Sequence, residues 1–303
     1  MKRKSFLIGL LTLASVTAAS ILALVPITKN KDEEAMTWMS KVNDEVNITE
    51  LSIPGTHDSG ATRSIFDVSG KCQDTSIETQ LNIGVRFFDL RLQLVDNEFR
   101  IVHSFVDQKL LFKDVMEDMH NFLSVNSSEF LLVSIKEEAS SKNSNIGFEE
   151  ALLNEMKPFE SVISYSNTFP EKVKDARGKL HIISRFNSSI GVNAYEGWLD
   201  STSFEMREFY VQDNYAIESE EEKIEDIKKT MEYSNNNKDK LVLNFTSCYL
   251  KNNYIPPLYA GTPALAINPW LEYQLKTNNN HVGVMVMDFV TLDLCKLVYR
   301  RNL

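Results

Sequence analysis

The chain has 303 residues, 43% of them hydrophobic and 10% aromatic, with few glycines and prolines; this is the make-up of a folded globular protein and excludes a low-complexity chain. Its formal net charge is −10, without a basic stripe or an arginine run, which excludes nucleic acid as the main partner. Any attraction to a phosphate must therefore be local, built from a few placed cations.

The first segment, MKRKSFLIGLLTLASVTAASILALVPITKNKDEEAM, joins a basic tip to an apolar run and then a charged stretch, which is the pattern of an export signal. Because the run is long enough to cross a bilayer, an uncleaved N-terminal anchor is the alternative. Residues 1–30 are thus assigned to a signal peptide or anchor and residues 36–303 to a single domain outside the cell.

Beyond that segment, β-rich runs recur in chain order: LSIPG, VRFFDLRLQL, EFRIVHSF, EFLLVSIKEE, KLHIISRF, FYVQDNY, LVLNFTSC and VGVMVMDFV. Several are nearly continuous apolar stretches, as parallel strands covered on both faces require. Between them, LFKDVMEDMHNFLSVN, GFEEALLNEMKPFESVI, ESEEEKIEDIKKTMEYS and INPWLEYQLKTN read as helices. Only Val95-Asp96-Asn97 joins the second run to the third, and this leaves no room for a crossover helix. The expected fold is α/β, a single-domain, irregular TIM barrel, with a doubly wound sheet as the alternative.

Chemically capable residues recur at or near the carboxyl ends of these runs: His57 and Asp58, Asp89 and Arg91, His103, Lys136, Arg185, Asp213 and Tyr215, and Asp288. In a barrel those ends converge on one mouth, and charges buried elsewhere along the strands would cost several kcal/mol unless paired. Two histidines, an arginine and carboxylates suit phosphoryl transfer without a metal. One imidazole takes a proton from an attacking hydroxyl, the other gives one to the leaving oxygen, and the guanidinium meets the phosphate. Cys72, Cys248 and Cys295 show neither CxxC nor histidine spacing, so no zinc site is suggested; one disulfide is compatible with an exported chain, and sequence does not choose the pair. His120, His181 and His281 lack such surroundings and are expected to be structural or solvated.

In combination, SIPGTHD, GVRFFDLRL, IVHS, VSIKEE, VQDNY and the final VMDF resemble the bacterial phosphatidylinositol-specific phospholipases C, the metal-independent members of the phospholipase C X-domain family. The resemblance runs from about Trp38 to the C-terminus and implies a distorted TIM barrel. It implies cleavage of phosphatidylinositol, and in several members of glycosylphosphatidylinositol anchors, to diacylglycerol and an inositol 1,2-cyclic phosphate. It makes His57 the general base for the inositol 2-hydroxyl, supported by Asp288, and His103 the general acid, bound to Asp58. Arg91 would contact the phosphate, held by Asp89, in the place where other members bind calcium. Lys136, Arg185 and Asp213 would meet inositol hydroxyls and Tyr215 would stack on the ring. No cofactor or metal is expected, and the protein is expected to act as a secreted monomer on a membrane surface.

Such a substrate requires an apolar rim. Candidates are Ile65 and Phe66, and the stretch NNYIPPLYAG with Tyr254, Ile255, Leu258 and Tyr259. The alternatives to this enzyme are a metal-dependent glycerophosphodiester phosphodiesterase on a similar barrel and a non-catalytic lipid-binding protein.

Overall fold

The computed structural model describes residues 32–64, 70–104, 106–251 and 261–303. The signal or anchor segment and the rim candidates Ile65, Phe66, Tyr254, Ile255, Leu258 and Tyr259 lie outside them. No described helix is long and apolar enough to cross a membrane.

From its N-terminus the domain runs through a short helix α1 (Glu33–Met36), strand β1 (Ile53–Thr56), α2 (Ile77–Asn82), β2 (Phe87–Val95), β3 (Glu98–His103) and β4 (Val106–Leu111). There follow α3 (Phe112–Val125), β5 (Leu131–Glu137), α4 (Phe148–Met156), β6 (Ile163–Ser164), α5 (Val173–Ala176), β7 (Leu180–Arg185) and β8 (Val192–Asn193). The last part comprises β9 (Ser203–Met206), β10 (Phe209–Gln212), β11 (Ala216–Ile217), α6 (Glu220–Asn236), β12 (Leu241–Phe245), β13 (Tyr249–Leu250), α7 (Gly261–Thr277), β14 (Val284–Met287) and α8 (Leu292–Tyr299).

All eight β-rich runs form strands, and they make one curled sheet. Its parallel order is β7, β5, β2, β1, β14, β12, β10. The short β6 and β8 both lie along the outer edge of β7, while antiparallel β9 takes the outer edge of β10. Among the described residues no strand pairing joins these two edges, so the barrel is distorted as expected. The connection after Val95 is a hairpin: Asp96 and Asn97 have φ of 55° and 64°, the left-handed pair that matches the twist of the antiparallel strands β2 and β3.

The strands are apolar because both faces are covered. The first five residues of β5 are all buried, and α3 packs Phe112, Val115, Met116, Met119, Phe122 and Leu123, a helical stripe, against the core. Capping sets where helices begin. Ser219 accepts from Glu222 N at the start of α6, and Thr291 accepts from Leu294 N at the start of α8. On β1, Gly55 permits close strand approach, since a Cβ there would sit 3.0 Å from Phe87 Cβ.

At the amino ends of β2 and β5, Arg86 and Glu129 are entirely buried. Arg86 donates from Nε and Nη2 to Glu129 Oε2 at 2.9 and 2.8 Å. Its other bonds go to the carbonyl oxygens of Leu81, Val85, Ala35 and Met36, so one guanidinium ties α1 and α2 to the floor of the barrel. This end of the barrel serves stability, and the opposite end is left for chemistry.

Candidate active site

The carboxyl ends of β1, β3, β5, β7, β10 and β14, with the middle of β2, bring nearly all the predicted residues together. His57 and Asp58 directly follow β1, and Asp288 directly follows β14, the strand hydrogen-bonded beside it. His57 N donates to Met287 O at 3.0 Å, which fixes the two ends in register. Gln73 strengthens the joint by donating to both His57 O and Met287 O, at 2.9 and 2.8 Å. Asp58, Ser104 and Phe289 have φ of 40°, 52° and 48°, so a left-handed residue lies at or next to each of the three strand ends that carry His57, His103 and Asp288. Strain of this kind costs on the order of 1–3 kcal/mol per residue and persists where surrounding bonds impose it.

His57 is held from both ring nitrogens. Nδ1 lies 2.8 Å from Asp288 Oδ1, and Nε2 lies 2.8 Å from Arg91 Nη2. A guanidinium only donates, so the ring is neutral here, with its proton on Nδ1 toward Asp288 and its lone pair on Nε2. Burial disfavours the charged ring, and Arg91 adds to that. The charge and hydrogen bond of Asp288, with the charge of Asp89, outweigh both and hold the His57 pKa above the ordinary histidine value. The result is a strengthened base with its lone pair aimed at a cation.

His103, at the end of β3, is the second imidazole. Its Nδ1 makes a short hydrogen bond to Asp58 Oδ2, which leaves Nε2 for a substrate. Arg91 stands between the two histidine-carboxylate pairs: its Nη2 meets His57, while its Nε lies 3.7 Å from Asp58 Oδ2. Adjacent residues His57 and Asp58 therefore serve different imidazoles.

Asp89 organises the floor beneath them. Its Oδ2 accepts from Arg91 Nε at 3.2 Å and from Asp58 N at 3.2 Å, and its Oδ1 accepts from Arg185 at 3.3 Å. Burial opposes ionisation, but Arg91, Arg185 and the Asp58 amide hold its carboxyl well below the usual carboxylate range. Arg185 also lies 3.9 Å from Asp213 Oδ2 and packs its guanidinium 3.8 Å over the ring of Trp198. Lys136 pairs with Glu138 Oε2 at 2.6 Å, and Glu138 Oε1 lies 3.7 Å from Arg91. Tyr215 sits outside this network: its hydroxyl donates to Asp200 and its ring centroid lies 5.8 Å from that of Tyr249. His120, His181 and His281 lie elsewhere and bond to Ser161, to Ala176 O and to Ser234.

Sequence reasoning missed Trp198 and Cys72. Trp198 donates from Nε1 to Asp213 Oδ2 at 3.2 Å and so anchors both members of the Arg185 pair. Nothing local in YEGWLD signals that role. All three cysteines are free and buried, and Cys72 Sγ lies 3.7 Å from His103 Nδ1.

Comparison with known proteins supports this reading. Residues 49–180 match the family described as the phosphatidylinositol-specific phospholipase C, X domain. The chain is 28% identical over 276 residues to the 1-phosphatidylinositol phosphodiesterase of Staphylococcus aureus strain Newman, covering 83% of this chain and 87% of that one. It is 26% identical over 278 residues to the protein of the same description from Listeria monocytogenes, covering 88% and 84%. In fold it is similar to a double mutant of the S. aureus phosphatidylinositol-specific phospholipase C, with a TM-score of 0.77 at 23% identity over 88% of this chain and 97% of that one. It is likewise similar to the L. monocytogenes phospholipase, with a TM-score of 0.74 at 24% identity over 89% and 99%. The resemblance to the bacterial phospholipases drawn from the motifs is borne out.

Proposed function

Taking the X-domain likeness as the premise, we propose that the protein cleaves phosphatidylinositol in a membrane surface by attack of the inositol 2-hydroxyl on its own phosphorus, releasing diacylglycerol and inositol 1,2-cyclic phosphate. One observation carries the reading: a single guanidinium, Arg91, stands between two imidazoles, each held by its own carboxylate.

With Asp288 on Nδ1, His57 offers Nε2 as the base that accepts the 2-hydroxyl proton. As substrate enters, the Arg91 N–H groups that face His57 turn to the phosphate oxygens, where negative charge grows as the new P–O bond forms. Asp89 keeps the guanidinium aimed. His103, with Asp58 on Nδ1, gives its Nε2 proton to the departing diacylglycerol oxygen. The nucleophile belongs to the substrate, so the attack is intramolecular and needs no bound water. Lys136, Arg185, Asp213 and Tyr215 are assigned to the inositol hydroxyls and ring, with Trp198 holding Arg185 and Asp213 in place.

The carboxylates around Arg91 also speak to metal use. Asp89 and Glu138 both direct oxygens at the guanidinium, which spends on an arginine the charge a hard divalent cation would need. Turnover of phosphatidylinositol vesicles is therefore expected to persist in excess EDTA. Loss of activity in EDTA that calcium restores would contradict the proposal.

A further inference from the structure

Cys72 is a chemically capable group at this site that the proposed mechanism leaves unused. It lies between the two histidine-carboxylate pairs. One donor atom each from Asp58, Cys72 and His103 fall within 4.8 Å of one another, and so do one each from His57, Cys72 and Asp288. The thiol is thus common to both sets. An independent feature points to a missing positive partner: Asp58 is entirely buried, and its Oδ1 has no hydrogen-bond partner.

We propose that Cys72 Sγ, His103 Nδ1 and the Asp58 carboxylate form a site for a borderline-soft divalent cation of the zinc class, and that its occupancy switches the enzyme off. The donor set selects this class. Thiolate and imidazole favour zinc, whereas magnesium and calcium require mostly oxygen ligands. The spacing agrees with the donors: usual zinc–sulfur and zinc–nitrogen lengths at a tetrahedral angle put the two atoms about 3.6 Å apart, and they lie 3.7 Å apart here. Asp58 Oδ2 is too close to Nδ1 to share a metal with it as it stands, but the orphaned Oδ1 of the same carboxylate offers a second lone-pair set. The route is short, since His103 is 24% exposed at the barrel mouth.

Proton balance follows from the ligands. The thiol gives up its proton to solvent as the S–metal bond forms, and the Nδ1 proton of His103 leaves when the nitrogen turns its lone pair to the ion. Burial and the charges of Asp288 and Asp58 hold the free thiol well above its ordinary pKa. The same carboxylates that keep Cys72 a thiol in the absence of metal attract the ion that displaces its proton. A ring carrying a cation on Nδ1 retains only a feebly acidic Nε2–H and has lost Asp58 as its support, so it no longer protonates a leaving alkoxide. The inhibition, unlike the binding, rests on the function proposed above.

Cobalt(II) separates the two. Added to metal-free protein, one equivalent of cobalt(II) is expected to give the near-ultraviolet thiolate-to-cobalt charge-transfer absorption. Cys72→Ala and Cys72→Ser should lose that band, while Cys248→Ala should keep it. In turnover assays with zinc(II), wild type should be inhibited, and Cys72→Ala should need at least tenfold more zinc(II) for half-inhibition while keeping its metal-free rate. Absence of the band in wild type, or its survival in both Cys72 variants, would overturn the site. Equal zinc sensitivity of wild type and Cys72→Ala would overturn the inhibition. A cobalt band in a protein without phosphatidylinositol turnover would uphold the site and count against the phospholipase reading instead.

Discussion

His57→Ala and His103→Ala are each expected to lower kcat on phosphatidylinositol by roughly 10²- to 10⁴-fold, the usual worth of a positioned acid or base. The two variants should differ in what rescues them. In the proposed mechanism His103 works on the leaving oxygen, and an alkoxide leaves badly without a proton. A substrate with an aryl oxygen in place of diacylglycerol leaves as a stable phenolate and needs little protonation. His103→Ala should therefore recover most of its lost rate on the aryl substrate, whereas His57→Ala, deprived of the base for the 2-hydroxyl, should stay slow on both. Asp58→Asn should follow His103→Ala in this selectivity, and Asp288→Asn should follow His57→Ala, because each carboxylate bonds to one ring only. Equal losses for His103→Ala on the two leaving groups would remove His103 from the role of acid.

The largest expected effect on stability lies at the other end of the barrel. Glu129→Ala leaves Arg86 fully buried and without its counter-charge, and breaking a buried pair in this way typically costs about 3–5 kcal/mol. The remaining hydrogen-bond partners of Arg86 are backbone carbonyls, and its guanidinium lies 4.6 Å from the centre of the Phe122 ring; none of these neutralises it. Thermal unfolding followed by circular dichroism should show a fall in Tm on the order of 10 °C. The double change Arg86→Met with Glu129→Leu should return much of that loss, since apolar replacements remove both desolvation costs. A Glu129→Ala variant as stable as wild type would mean that the carbonyls alone hold the guanidinium.

How much of this was legible in the sequence depends on whether the cause is local. Strands buried on both faces carry their signature in nearly unbroken apolar runs, which is why several of the eight were plain, while β3 shows only the alternation of an antiparallel strand. The tight connection was readable because Val95-Asp96-Asn97 leaves no room for a crossover helix. Strand β4 was not readable: Val106–Leu111 mixes Asp107, Gln108 and Lys109 with apolar residues, and its pairing with β3 is set by a bulged register. Helix α7 begins at Gly261, earlier than INPWLEYQLKTN suggested, and carries Pro269 in its interior. Proline ends helices as a local rule, and here the surrounding packing overrides it.

The site divides in the same way. His57, Asp58, Asp89, Arg91, His103 and Asp288 could be named because strand ends in a barrel converge, whatever their distance in sequence. The partners that complete the site could not. Trp198 comes from the stretch between β8 and β9 and reaches Arg185 and Asp213 only once the chain is folded. Cys72 escaped for a related reason: metal-ligand spacing rules apply to ligands from one short segment, and here the proposed donors Asp58 and Cys72 come from the connection between β1 and α2 and His103 from the end of β3.

Phosphorus NMR of phosphatidylinositol vesicles incubated with purified protein in excess chelator reads the chemistry itself. Two imidazoles flanking one phosphorus, with an arginine supplying the cation, predict the resonance of a five-membered cyclic phosphodiester growing as the lipid signal falls. Glycerol phosphate as the product, or no product until a hard divalent cation is restored, would contradict them.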